Sequence, residues 1–316
     1  MFRPHRVSRR AVLSLAAAML ANCLPASAQQ DAGIGLVVLG SGGPGAVGRA
    51  GSSFLVLLDG VPRILVDAGG GAFTRLGETG LSLAKLDTIL LTHLHADHAG
   101  GLPALLKARV VGGGGPAALT VVGPGGGPGF PSTTRLIALL FGKGGAFAYL
   151  PDFAAPLRFH VRDVASSASE RVLVARDGLR ILASAGHHGE APAIIYRIEY
   201  QGRSICFSGD IDNKGHAALR RLARGVDLLV FNSVVLDPPG SPAQLYELHT
   251  PPRAIGELAR DARVSALLLT HLNPGIDNAK EAVLASIRAA YDGPVAFARD
   301  GSRWPNEAGS PGLRLD

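Results

Sequence analysis

The sequence predicts a layered α/β sandwich in which mixed β-sheets are covered by helices. Three observations point there. Short apolar runs of strand length recur between residues 34 and 298. Some are joined by two-residue turns, Asp59-Gly60 and Gln201-Gly202, the mark of antiparallel hairpins. Others alternate with helix-like segments, the mark of βα units.

In chain order, residues 34–39 form a buried strand ending in Gly40-Ser41-Gly42-Gly43. Residues 53–58 and 63–67 form a hairpin. Residues 86–91 form a further buried strand, followed by a helix over 98–109. A strand at 119–122 and a helix at 133–140 close the first half. In the second half, 179–183, 193–200, 203–208 and 227–231 are strands. A helix over 251–261 carries Pro in its first turn. A strand at 266–270, a helix at 279–289 and a strand at 295–298 complete the pattern. The Gly- and Pro-rich stretch 111–130 reads as surface loops, and 301–316 as a loosely held tail. No linker or short-period repeat interrupts the run, so 29–300 reads as one domain.

Residues 1–28 read as an export signal. Arg3, Arg6, Arg9 and Arg10 precede an apolar run at 11–20 that is too short to span a bilayer, and Ala26-Ser27-Ala28 is a small-x-small cleavage site. The pair Arg9-Arg10 after Ser8 resembles a twin-arginine signal; an ordinary secretory signal with an incidental Arg pair is the alternative. The expected location is periplasmic or secreted, with no membrane span after signal removal. Removal takes the formal charge from +6 to +2, because the segment carries four Arg and no acidic residue. The high sequence pI is therefore no evidence of nucleic-acid binding. Cys23 leaves with the signal. Only Cys206 remains, in an apolar run, so no internal disulfide is expected.

The chemistry concentrates at Thr92-His93-Leu94-His95-Ala96-Asp97-His98, directly after a buried strand. His93 and His95 lie two apart, so extended backbone points both to one side. Asp97 and His98 lie where the chain turns into a helix. Imidazole and carboxylate donors suit Zn²⁺ and related divalent ions. Ten His among 316 residues make the three His positions a chance event at about 0.01 over the whole chain, before Asp97 is required.

This His-x-His-x-Asp-His segment resembles the signature of the metallo-β-lactamase superfamily. The resemblance implies an αββα four-layer sandwich of two mixed sheets flanked by helices, and a hydrolase with two divalent metal ions, Zn²⁺ foremost, with Mn²⁺ or Fe as alternatives. Asp67, in Leu65-Val66-Asp67-Ala68-Gly69, matches the family's upstream aspartate, which supports the metal loop from behind. Asp210 in Ser208-Gly209-Asp210 and His271 in Thr270-His271-Leu272 match two later ligands. A further ligand is His187 or His188. His188 is favoured, because His188-Gly189, Pro192-Ala193 and Tyr196-Arg197 resemble the ribonuclease Z-like branch. The implied set is His93, His95 and His188 on one metal, Asp97, His98 and His271 on the other, and Asp210 bridging. A shared water made acidic by both cations would be the nucleophile, with Asp97 orienting it or moving its proton.

The opening Leu39-Gly40-Ser41-Gly42-Gly43-Pro44, with Arg49 and Ser52-Ser53, resembles ribonuclease Z and metallo-type arylsulfatases, and its turn could offer backbone N–H groups to an anion. His249-Thr250 resembles the branch's extra histidine beside the leaving group, with Glu247 as a candidate partner. The expected substrate is a small anionic sulfate or phosphate (di)ester. The alternatives are ribonuclease Z-like processing of tRNA 3′ ends, a lactonase or β-lactamase, and a non-enzymatic metal-binding protein on the same fold. Nucleic acid is disfavoured by the export signal. It is also disfavoured by the few basic residues of 133–158, where Arg135, Lys143 and Arg158 stand alone against the basic arm that gripping tRNA requires. Relatives of this branch often dimerise, so a homodimer is also expected.

Overall fold

The computed structural model describes residues 33–305, apart from 46, 47, 154, 155 and 168. The export-signal reading of residues 1–28 lies outside the described residues.

Fourteen strands form two seven-stranded sheets among the described residues. In the first sheet β1 (Ile34–Gly40), β2 (Ser53–Leu58) and β3 (Val61–Ala68) form an antiparallel meander. From β3 the sheet continues in parallel through β4 (Thr88–Leu90), β5 (Ala117–Pro124) and β6 (Leu157–Val164). The second sheet repeats the scheme. Its antiparallel strands are β7 (Arg171–Arg176), β8 (Leu179–Ala185), β9 (Ile194–Tyr200) and β10 (Arg203–Phe207). Parallel pairing then runs through β11 (Leu228–Asn232), β12 (Leu267–Thr270) and β13 (Val295–Phe297). The hairpin turns fall where the sequence placed them. Asp59 and Gly60, and likewise Gln201 and Gly202, all adopt positive φ, as the preferred two-residue turn requires.

Period-two alternation distributes each strand between two cores. In β1, Ile34, Leu36 and Val38 enter the core between the sheets, whereas Val37 and Leu39 face the first helical layer. In β11, Leu228 and Val230 face inward, and Leu229 and Phe231 face the second helical layer. Away from the edge strands β6 and β7, both faces of both sheets are covered, which is why the inner strands read as continuous apolar runs. The four layers expected from the family resemblance are present.

The first helical layer contains α1 (Ala72–Thr79), α2 (Ala96–Ala99), α3 (Leu102–Val111) and α4 (Thr133–Phe141). The second contains α5 (His216–Leu222), α6 (Ala243–Tyr246), α7 (Pro252–Ala262), α8 (Pro274–Asp277) and α9 (Lys280–Arg288). In α7, Pro occupies the first turn, and Ile255, Leu258, Ala259 and Ala262 bury one stripe.

Two expectations need correction. The single helix over 98–109 is two helices, α2 and α3, divided at Gly100-Gly101. A Cβ on Gly101 would lie 2.3 Å from the Gly69 carbonyl oxygen, so the chain must turn here against another backbone. The tail does not begin at 301, because Arg303–Trp304 form β14, antiparallel to β1, with Trp304 buried. Burial of the indole holds this short strand, a signal that a Gly- and Pro-rich stretch obscures.

Cys206 lies on β10, fully buried, and burial pushes its thiol up to about 12. Protein lacking residues 1–28, and so Cys23, is therefore expected when folded to resist a thiol-specific disulfide reagent at pH 8 and to react with one equivalent after denaturation. A full equivalent consumed rapidly by folded protein would contradict this burial.

Candidate metal centre

Every residue of the predicted ligand set lies at or just beyond the carboxyl end of a strand. Asp67, which supports them, is the penultimate residue of β3, and the His93–His98 segment follows β4. His188 follows β8, Asp210 follows β10 and His271 follows β12. The carboxyl-terminal halves of these strands are buried almost throughout, so each end is a rigid mount.

The side chains converge. Donor atoms of His93, His95 and His188 lie within 4.8 Å of one another, and so do those of Asp97, His98 and His271. Asp210 stands between the two groups. Its Oδ2 is 3.3 Å from His271 Nε2, 3.6 Å from His188 Nε2, and 3.7 Å from both His93 Nε2 and His98 Nε2. Burial pushes the Asp210 carboxyl up, but His271, His98, His249 and His93 together hold it well below the usual carboxylate range.

Neighbouring groups fix the orientation of these donors. Asp67 accepts from the Thr92 backbone N–H and the Thr92 hydroxyl, both at 2.7 Å, and sits 2.8 Å from His98 Nδ1. That contact places the His98 ring proton on Nδ1 and turns the Nε2 lone pair into the cluster. The Leu248 carbonyl accepts from His188 Nδ1 at 2.9 Å with the same effect. His187 points elsewhere, its Nδ1 2.5 Å from Asp212 Oδ2, so the adjacent pair resolves in favour of His188. Asn232, at the end of β11, donates from Nδ2 to Asp210 Oδ1 at 2.6 Å. Sequence reasoning missed Asn232. The available signal was its position, a polar residue closing a buried parallel strand beside the two strands that end at Asp210 and His271.

The site suits divalent cations on its own evidence. The Asp210 contacts to four imidazoles exceed ordinary hydrogen-bond lengths. Buried ring nitrogens, His98 Nε2 among them, have no hydrogen-bond partner. Native interiors rarely leave such atoms unsatisfied, and a cation accepted by several neutral imidazoles and carboxylates satisfies them together. Without one, burial would push His98 down, but Asp67, Asp210 and Asp97 raise it to about 9. A proton therefore competes with the cation for this residue.

His249 also reaches the cluster. Its ring centroid is 5.1 Å from that of His188 and 5.9 Å from that of His271. Burial pushes it down to about 4, so it is a neutral ring at pH 7. That fits a hydrogen bond to a substrate oxygen better than a stored proton. Glu247 is exposed, and no hydrogen bond joins it to His249 among the described residues.

The glycine-rich opening does not form an anion cradle. The Ser41 N–H donates to Asp300 Oδ1, Gly42 N–H to the Ala50 carbonyl and Gly43 N–H to the Leu272 carbonyl. Arg49 is engaged as well, pairing with Asp277 and donating to Ser41 Oγ and the Ala298 carbonyl. The segment supports the site instead. A Cβ on Gly43 would lie 2.4 Å from the His271 ring, so Gly43 provides the space in which that ring stands.

Comparison with known proteins agrees with this geometry. Residues 46–275 match the model of the Metallo-beta-lactamase superfamily. A protein named ribonuclease Z from Mycobacterium sp. (strain KMS) is 33% identical over 259 residues, which cover 79% of this chain and 87% of that one. The ribonuclease Z of Mycobacterium marinum is 30% identical over 279 residues, covering 84% and 96%. Among solved structures, the metallo-beta-lactamase fold protein YhfI from Bacillus subtilis superposes with a TM-score of 0.66 at 19% identity, covering 86% of this chain and 99% of that one. The short form of human tRNase Z superposes at 0.63 with 20% identity, covering 85% and 98%. These two likenesses are of fold.

Proposed function

The chain belongs to the metallo-beta-lactamase superfamily and is a metal-dependent hydrolase of ester bonds; from that premise we propose that it cleaves phosphodiesters, with Zn²⁺ as its metal. The observation that carries the reading is the pair of three-donor groups joined by Asp210, in a chain whose relatives named ribonuclease Z match along most of their length. Those relatives favour a phosphodiester over the sulfate ester that ranked beside it on sequence alone. Their name also supports tRNA 3′ processing as a second reading.

Divalent cations in this site would supply Lewis-acid stabilisation of the phosphoryl oxygens and a water of lowered pKa. The chain's own residues do the rest. Asp67 and the Leu248 carbonyl hold His98 and His188 in one tautomer. Asn232 fixes the Asp210 carboxylate in rotation. Asp97, with Oδ2 3.1 Å from His271 Nε2, is the partly exposed carboxylate and the one able to exchange a proton with incoming water. His249 is placed to hydrogen-bond an ester oxygen as the P–O bond breaks. Export to the periplasm or beyond belongs to the same proposal and rests on residues 1–28.

The expected result is steady turnover of bis(p-nitrophenyl) phosphate by Zn²⁺-loaded protein, at least about 100-fold faster than turnover of p-nitrophenyl sulfate at equal concentration. The reverse preference would restore the sulfate ester and remove the phosphodiester reading. Specific cleavage of a tRNA precursor at its 3′ side, faster than the small diester, would select the second reading.

A further inference from the structure

The loop between β8 and β9 carries His188 beyond the end of its sheet. Within the loop, the Gly186 N–H donates to the Ala193 carbonyl and the Ala191 N–H to the His188 carbonyl. These bonds give the loop its shape but do not fix where it lies. Apart from contacts within the metal cluster, four hydrogen bonds tie residues 187–189 to other parts of the chain among the described residues. One runs from His188 Nδ1 to the Leu248 carbonyl. The other three end on Asp212. Its backbone N–H donates to the His187 carbonyl at 2.8 Å. Its Oδ2 accepts from His187 Nδ1 at 2.5 Å and, at the longer distance of 3.5 Å, from the Gly189 N–H.

Asp212 thus grips the residues on either side of His188, from a position two beyond Asp210. It governs the approach of His188 Nε2 to Asp210 Oδ2, which stands at 3.6 Å. Asp212 is 3% exposed, so its carboxylate is shielded from competing water and its bonds are the stronger for it. Capping does not account for this arrangement. Oδ1 alone accepts from the Lys214 N–H, at 2.8 Å, and caps the short turn Asn213–Gly215. Oδ2 is left for the ligand loop. The segment that carries Asp212 is held from elsewhere. The Thr250 hydroxyl donates to the Ile211 carbonyl at 2.9 Å, and Asn232 holds Asp210. Loss of the Asp212 carboxylate therefore loosens the loop of His188 and leaves Asp210 in place.

We infer that Asp212 is a positioning residue of the metal centre, holding His188 where His93, His95 and His188 together take one cation. The second group, Asp97, His98 and His271, makes no hydrogen bond to Asp212 among the described residues and does not depend on it. The inference concerns the cation site alone and stands whichever ester is cleaved. Groups that orient metal ligands commonly set affinity by about 10- to 100-fold.

The test strips the protein with a chelator and titrates Zn²⁺ back against a chromophoric competitor, in the parent, Asp212→Ala, Asp212→Asn and His187→Ala. The His187 side chain is 35% exposed, so its truncation spares the core and keeps the test open if Asp212→Ala does not fold. The parent is expected to take two ions. Asp212→Ala should weaken one of them about 10- to 100-fold and leave the other within twofold. Asp212→Asn and His187→Ala each retain part of the grip and should weaken the same ion by about three- to tenfold. Co²⁺ in place of Zn²⁺ reports geometry, and its visible absorption should change in the variants at the weakened ion only. A double variant assigns that ion. His95→Ala already disables the group of His93, His95 and His188, so adding Asp212→Asn to it should leave the remaining ion within twofold. Equal weakening of both ions, in step with a lower melting temperature of the metal-free protein, overturns the inference and leaves Asp212 as a cap of its turn. So do affinities unchanged in both Asp212→Asn and His187→Ala, a parent that takes no metal, and a further loss when Asp212→Asn is added to His95→Ala.

Discussion

Asp210→Ala is expected to strip the site of its divalent ions and to lower phosphodiester turnover at least about 10³-fold, the equivalent of about 4 kcal/mol of transition-state stabilisation. The size of the effect follows from position. Oδ2 of this one carboxylate lies within 3.7 Å of ring nitrogens from four histidines on three separate strand ends. Its removal divides the cluster into two incomplete sets. It also removes the only carboxylate of the group that is nearly fully buried and faces both sets, leaving His93, His95 and His188 without an anion and the other set with the partly exposed Asp97 alone. The orphaned Asn232 amide adds a buried unsatisfied donor, at about 1–3 kcal/mol. Elemental analysis of purified protein measures the metal, and melting with and without added Zn²⁺ measures the linkage between binding and folding. The parent should gain thermal stability on Zn²⁺ addition and the variant should not. Asp210→Asn separates charge from shape, because it preserves the volume and loses the anion. A variant that kept the parent's metal content and turnover would show that Asp210 is no part of the metal centre.

How much of this was readable in the sequence depends on what kind of constraint placed each residue. The strands were legible where both faces are covered, because β1, β2, β11 and β12 then carry no charged residue and are polar only at a terminal Ser53, Asn232 or Thr270. Strands β6 and β7 were not. Their residues Arg158, Arg162, Arg171 and Arg176 face solvent at the open edges of the two sheets, and the mixed pattern matches no simple period. Among the donors, His93, His95, Asp97 and His98 are neighbours in the chain and announced themselves. His188 could not be separated from His187 by spacing. Only the fold shows one ring in the cluster and the other turned to Asp212. Arg49 and Asp300 illustrate the opposite failure. A residue type associated with anion binding is fully engaged within the protein, and the carboxylate that holds the loop in place comes from some 250 residues further on.

Gly69→Ala carries the largest expected effect on stability. Gly69 follows β3, at the point where three chain segments meet without side chains between them. A Cβ there would lie 2.3 Å from the Asp97 carbonyl oxygen, 2.3 Å from the Gly51 carbonyl carbon and 2.6 Å from the Gly51 oxygen. All three atoms are backbone and none can rotate away, so relief requires moving whole segments. These segments are tied by the Gly69 N–H to the Ser52 carbonyl, Gly51 N–H to the Gly70 carbonyl and Gly101 N–H to the Ala68 carbonyl, at 2.7 to 3.0 Å. The strain falls at the upper end of overpacking costs, about 3 kcal/mol, which lowers the melting temperature by roughly 5 °C in a protein of this size. Metal affinity should fall with it, because the displaced carbonyl belongs to Asp97. Gly77→Ala is the matched control. Gly77 lies inside α1 with open space where a Cβ would stand, so the substitution should stabilise by about 0.5–1 kcal/mol through the helix preference of alanine alone. Thermal melts of the two variants with and without Zn²⁺ give the comparison. If Gly69→Ala melts within a degree of the parent, the close approach of these backbones is not what fixes the metal loop. If it melts low and Gly77→Ala high, Gly51, Gly69 and Gly101 are the spacing on which the site is built.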